Sequence, residues 1–201
     1  MRRARLILWL AVAATALLAL TLLVLRPATV PAPAASNSSG TIADLGGPFT
    51  LTASDGQPFS SSRLSGRPFA IFFGFTHCPD VCPTTLARLA RLRKALGKGD
   101  QAFSIVFVSV DPERDTPADM GRYSALFGTP VVGLTGSPAA IERVKKDYGI
   151  YAKKVAQPGG DYSVDHTATV MLFDRSGHFG STIATDEGDG PALDKLKAIT
   201  S

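Results

Sequence analysis

The chain has 201 residues, 45% of them hydrophobic, and only two cysteines, which leaves room for one ordinary domain and an additional segment. A formal charge of +4 invites nucleic acid as a partner, but Arg2, Arg3, Arg5 and Arg26 lie in residues 1–26 with no acid beside them, and the remainder carries 17 basic against 17 acidic side chains. A domain without net charge lacks the electrostatic footprint of a phosphate-backbone binder, so nucleic acid is excluded as a partner.

Leu6 to Leu25, LILWLAVAATALLALTLLVL, runs about twenty residues without a charge, enough to cross a bilayer core as a helix. The arginines ahead of it predict a cytoplasmic N-terminus and an exported remainder. A cleaved signal peptide is the competing reading, because small residues follow in PATVPAPAAS. The apolar run exceeds the usual h-region of about 7–15 residues, which favours a retained anchor. Next comes a Pro-, Ala- and Ser-rich stretch without apolar periodicity, an extended linker by composition. The expected organisation is an anchor over 1–26, a linker over 27–45 and a folded domain over 46–201.

Within the domain, two short β-prone runs flank Asp55-Gly56, the dipeptide of a tight hairpin. Pro68 to Phe75, PFAIFFGF, reads as a strand buried on both faces. In TTLARLARLRKALG, Leu86, Leu89 and Leu96 form an apolar stripe at helical spacing, with basic residues on other faces and Gly97 at the end. AFSIVFVSVD is a second buried strand ending at Asp111, and TPADMGRYSALFG a helix with Thr116 as N-cap and Pro117 at its first position. VVGLTG is a short strand, and SPAAIERVKKDYGI a helix closed by Gly149. YAKKVA and YSVDHTATVMLFD are strands separated by QPGGD; DRSG then turns into HFGSTIA, and PALDKLKAIT supplies a terminal helix. This order predicts an α/β fold with a mixed sheet flanked by helices. Functional groups in such sheets gather where strand C-termini meet helix N-termini, and Cys78 falls at such a junction.

Both cysteines sit in GFTHCPDVCPTT, with three residues between Cys78 and Cys82. A structural bridge across four residues would constrain little of the unfolded chain, so the sulfurs point to chemistry instead. A helix N-terminus stabilises thiolate, and with Cys82 in the first turn the spacing places both sulfurs on one face. They can converge on one ion or close into a disulfide. Two thiolates suit a soft metal with imidazole as third ligand. His166, at the entrance to an apolar strand, is the candidate; His77 would have to turn around the same tight bend, and His178 follows a turn and faces solvent. Two sulfurs and one nitrogen suit trigonal Cu(I), and a weak fourth donor would serve Cu(II), whereas structural zinc wants four protein ligands. Asp80 is a candidate for that weak donor or a partner of the helix N-terminus. Asp111, Glu113 and Asp115 in VDPERDTP are read as turn and capping residues, and Asp165 as a candidate to orient the imidazole.

The three stretches FFGFTHCPDVCP, VSVDPERDTP and YSVDHTATVMLFD together resemble the Sco/SenC family, membrane-tethered copper proteins that help assemble cytochrome c oxidase. The resemblance spans roughly Pro48 to the C-terminus, and the apolar N-terminal segment agrees with it. Phe75 stands where the family often has Tyr. The resemblance implies a thioredoxin-like fold, copper ligation by Cys78, Cys82 and His166, and delivery of copper to the binuclear copper site of the oxidase subunit, or reduction of that site's cysteines. It also implies exchange with other copper carriers or thiol-disulfide proteins. The expected location is a bacterial inner membrane with the domain in the periplasm, the mitochondrial inner membrane being the alternative. A thiol-disulfide oxidoreductase using Cys78 and Cys82 as a redox dithiol is the alternative function, with a peroxiredoxin-like peroxidase third. No proline precedes Thr167, where thioredoxin-like redox enzymes commonly carry one facing their thiols, and this tilts the balance towards copper.

Overall fold

The computed structural model describes residues 45–201, so the apolar segment 6–25 lies outside the described residues. Among the described residues, no helix is long and apolar enough to cross a membrane.

The domain opens on the expected hairpin. Strand β1 (Thr50–Ala53) pairs antiparallel with β2 (Pro58–Ser60), with Leu51 opposite Phe59. Gly56 takes φ +79°, a left-handed conformation that glycine adopts without steric cost, and the turn closes with Gly56 N–H donating to Ala53 O. The apolar run becomes β3 (Phe69–Gly74), buried at every position. β4 (Ser104–Ser109) and β5 (Val131–Thr135) lie parallel to it, through the pairs Phe72–Phe107 and Phe107–Gly133. On the other side β8 (Val170–Phe173) runs antiparallel to β3 and β9 (Phe179–Ile183) antiparallel to β8, so the seven strands run in the order β2-β1-β5-β4-β3-β8-β9. The sheet is mixed, as expected.

Helix α1 (Val81–Ala95) follows β3, α2 (Pro117–Ala125) follows β4, α3 (Pro138–Asp147) follows β5, and α4 (Asp189–Ile199) ends the chain. Thr116 and Ser137 are the N-caps of α2 and α3; each hydroxyl accepts from a first-turn N–H, and proline takes the next position. Asp119 completes a capping box with Thr116. Helix α1 packs on α4, and α2 lies against β5.

Two expectations are corrected. The helical spacing puts the basic residues of α1 on faces other than the leucine stripe, yet Arg93 is buried with that stripe at 2% exposure. Its guanidinium is accommodated by donating to the carbonyls of Phe103 and Pro130, which lowers the cost of burial. The run from Tyr162 to Asp174 is not one strand. It divides into β7 (Tyr162–His166), which pairs with β6 (Ala152–Ala156) in a separate ribbon, and β8 in the main sheet. Because β8 runs antiparallel to β3 with Met171 opposite Ile71, residues ahead of Val170 are carried past the C-terminal end of β3. That break brings His166 towards the loop that bears the cysteines.

Candidate metal centre

After β3 the chain turns at Phe75, whose carbonyl accepts from the Cys78 N–H. Cys78 lies in this loop ahead of α1, and Cys82 is the second residue of the helix. Their link is direct, since the Cys82 N–H donates to Cys78 Sγ at 3.4 Å. Pro83 costs the first turn no hydrogen bond, because N–H groups there have no intrahelical acceptor.

Cys82 is fully buried, Cys78 half-buried, and both are free thiols. The depth of Cys82 depends on Gly74. A Cβ built there would lie 2.6 Å from the Cys82 sulfur, so the sulfur occupies space that a side chain would fill.

His166 closes the cluster. Its Nε2 stands 3.6 Å from Cys82 Sγ, and its Nδ1 stands 3.0 Å from the Thr167 carbonyl. A carbonyl only accepts, so Nδ1 carries a proton, and in the neutral tautomer Nε2 is then the nitrogen left bare towards the sulfurs. Phe75 and Phe72 wall the ring edge-on, with centroids at 5.8 and 6.1 Å. The ligand atoms of Cys78, Cys82 and His166 all lie within 4.8 Å of one another. Phe75, the departure noted above, is thus a wall of the imidazole and takes no donor away from the cluster.

The two thiols are electrostatically unlike. A hydrogen bond from Cys82 holds the Cys78 thiol down at about 4, against the opposing effect of burial, with further help from the backbone N–H groups of Cys82 and Asp80. Cys82 is pushed far above the usual thiol range, first by its bond to Cys78 and then by burial. At neutral pH the pair holds one thiolate, on Cys78, and one proton, on Cys82.

The remaining candidates lie elsewhere. His77 is exposed, its Nδ1 3.6 Å from Asp115, and His178 stands in solvent beside Asp174. Asp80 precedes α1 without capping it; its carboxyl accepts from the Thr84 hydroxyl, and it is outside the cluster. Asp165 is exposed in β7 opposite Lys153, and the Thr167 carbonyl takes the orienting role assigned to it.

The acidic stretch makes the expected turn, with the Asp111 carbonyl accepting from the Arg114 and Asp115 N–H groups, but its acids do not cap the helix that follows. Asp111 and Asp115 are fully buried, whereas turn and capping residues ordinarily face water. Asp115 accepts from the N–H and the hydroxyl of Thr76 and from the Ser109 hydroxyl. It therefore pins the cysteine loop two residues ahead of Cys78. Asp111 accepts from Arg114 and from the Tyr162 hydroxyl. The signal in the sequence was two acids between a buried strand and a capped helix whose cap uses neither of them.

Fold and geometry define a thioredoxin-like α/β domain with a two-thiol, one-imidazole cluster at the C-terminal end of its central strands. The family model described as SCO1/SenC matches residues 37–201, and the chain belongs to that family. It is 36% identical over 166 residues to the mitochondrial protein SCO2 of Saccharomyces cerevisiae, a match covering 81% of this chain and 55% of the yeast protein. The chain thus spans about half the length of that relative. Among solved structures it is similar to copper-bound ScoI of Bradyrhizobium japonicum, with 46% identity, a TM-score of 0.70, and coverage of 77% of this chain and 99% of the other. It is also similar to BsSco, a member of the Sco family of cytochrome c oxidase assembly proteins with a disulfide switch, at 25% identity and a TM-score of 0.63, covering 81% of this chain and 96% of the other.

Proposed function

We propose that this protein is a copper carrier of cytochrome c oxidase assembly. It takes one copper ion on Cys78, Cys82 and His166 and passes it to the binuclear copper site of an oxidase subunit, or reduces the cysteines of that site. The observation that carries the reading is the set of three soft or borderline donors within 4.8 Å of one another. Two sulfurs and an imidazole match Cu(I), while a structural zinc site would call for a fourth protein ligand. The half-buried Cys78 leaves a side from which a recipient's ligands can approach, which a transfer site requires and a closed structural site lacks. The copper-bound relative supports the choice of metal.

A second reading rests on Cys78. A half-exposed sulfur held as thiolate beside a protonated second thiol is also the arrangement of a thiol-disulfide oxidoreductase. The two activities share their reduced state, since copper transfer needs the same dithiol. The organisation that goes with either is residues 1–26 as a membrane anchor, 27–45 as linker and 46–201 as a domain outside the cytoplasm, in the periplasm of a bacterium or facing the mitochondrial intermembrane space.

The deciding experiment is a Cu(I) titration of the reduced full chain against a competing chelator, with Cys82→Ser and His166→Ala in parallel. One copper per chain is expected, lost in Cys82→Ser and weakened in His166→Ala, while disulfide formation in His166→Ala continues. Full copper affinity in His166→Ala with loss of reductase activity would put the oxidoreductase first.

A further inference from the structure

His166 ends β7, and β7 pairs with β6 in a ribbon separate from the seven-stranded sheet. The cysteines, by contrast, are carried directly by β3 and α1. The pairing of β8 with β3 brings the chain near the cysteine loop, but His166 itself pairs in the ribbon with Ala152, so the main sheet alone does not fix the distance between the sulfurs and the imidazole. Something else must hold the ribbon.

The turn after β4 supplies it. Arg114 donates from Nε to the buried carboxyl of Asp111, and from Nη1 to the Tyr162 carbonyl at 2.9 Å and to Asp161 at 3.0 Å. Its guanidinium carbon stands 3.7 Å from the centroid of the Tyr162 ring and 5.9 Å from that of Phe75, the ring that walls His166. The Tyr162 hydroxyl returns to Asp111 at 2.8 Å. From the same turn, Glu113 pairs with Lys154 of β6. Both strands of the histidine ribbon are thus fastened to one segment, Asp111 to Arg114, and the neighbouring Asp115 fastens the cysteine loop through Thr76.

We propose that Arg114, with Asp111 and Tyr162, is a clasp that positions His166 against the two sulfurs and so sets copper affinity without touching the metal. The proposal rests on the reading of His166 as a ligand. Exposed ion pairs contribute little, but Asp111 is fully buried and needs its partners. The planar guanidinium serves carboxylate, carbonyl and ring together, and an ammonium cannot reproduce that fork.

The test uses the reduced full chain. Tyr162→Phe keeps the ring under Arg114 and removes only the hydroxyl; Arg114→Lys keeps the charge and removes the fork. Each is combined with His166→Ala, and Cu(I) affinity is measured by chelator competition. Each single variant is expected to lose about five- to tenfold in affinity, no further than His166→Ala itself. In the His166→Ala background the loss should vanish, because the clasp acts through the imidazole. Imidazole resonances of His166 in the copper-free chain should shift in both variants. A loss that persists undiminished in the His166→Ala background would reduce the clasp to general stabilisation and overturn the proposal, as would Arg114→Lys behaving like the parent. Unchanged affinity in His166→Ala alone would instead defeat the ligand assignment. The clasp is then decided by the copper-free resonances, and an unshifted His166 in Tyr162→Phe overturns it.

Discussion

Cys82 Sγ stands 3.6 Å from Nε2 of His166 across 84 residues of chain. With the ring neutral and its proton held on Nδ1 by the Thr167 carbonyl, the proton between sulfurs and imidazole belongs to Cys82. A metal arriving at the cluster meets a thiolate on Cys78, a bare imidazole nitrogen and a single S–H. Copper uptake at neutral pH should therefore release about one proton per ion. Calorimetry in buffers of different ionisation enthalpy measures this number. Release of about two would mean that a second proton sits on Cys78 or on His166 in the free protein and would sink the assignment.

Acid should act on Cys78 first. Folding lowers this thiol from 9.0 to about 4, so its contribution to stability is fully present above the ordinary thiol value and is lost as the pH falls through about 4. Cys82, shifted upward, behaves oppositely: its contribution is present below the ordinary value and is lost as the pH rises beyond it. Iodoacetamide should alkylate Cys78 at a rate that holds steady from neutral pH down towards about 4, while buried Cys82 stays unmodified. Mass mapping of the modified peptides checks both halves. Preferential labelling of Cys82, or a Cys78 rate that falls away near the ordinary thiol value, would contradict the paired-sulfur arrangement.

Gly74→Ala should disturb the centre without removing a ligand. The added methyl would lie 2.6 Å from Cys82 Sγ and 3.0 Å from the Phe107 ring, so the sulfur must move. We expect a stability loss of about 1–3 kcal/mol from overpacking, a weaker hold on copper and greater accessibility of Cys82 to alkylation. Denaturant unfolding and thiol labelling of the same variant provide the check. Wild-type labelling of Cys82 would show that the sulfur does not rest on this glycine.

Asp115→Ala should loosen the cysteine loop. It leaves the Thr76 N–H, the Thr76 hydroxyl and the Ser109 hydroxyl without their shared acceptor in a buried site. The expected cost is about 2–3 kcal/mol in unfolding free energy, together with faster amide hydrogen exchange over residues 75–80. Exchange that remains at the wild-type rate would mean that the loop is held by its own turn and by α1 instead.

The reach of sequence reasoning follows from the range over which its signals act. The unbroken apolar run at Phe69–Gly74, the Thr116-Pro117 and Ser137-Pro138 helix starts and the Asp55-Gly56 turn are written within a few neighbouring residues, and each element formed where expected. The candidate donor set was legible for a related reason: sulfur and imidazole carry their chemistry wherever they sit, and Cys78 and Cys82 are local to one another. Tertiary structure alone decided the rest. The run from Tyr162 to Asp174 has no internal breaker, and it divides because β8 finds β3 as a partner while β7 finds β6. Asp115 reaches Thr76 across 39 residues and Asp111 reaches Tyr162 across 51, so neither burial nor bracing is visible in the local pattern DPERDTP. Acids in a turn ordinarily face water, and only the surrounding donors make their burial affordable. The contact of Gly74 with the Cys82 sulfur is of the same kind: a glycine in a strand announces a close approach, and what approaches is set by the packing of the whole domain.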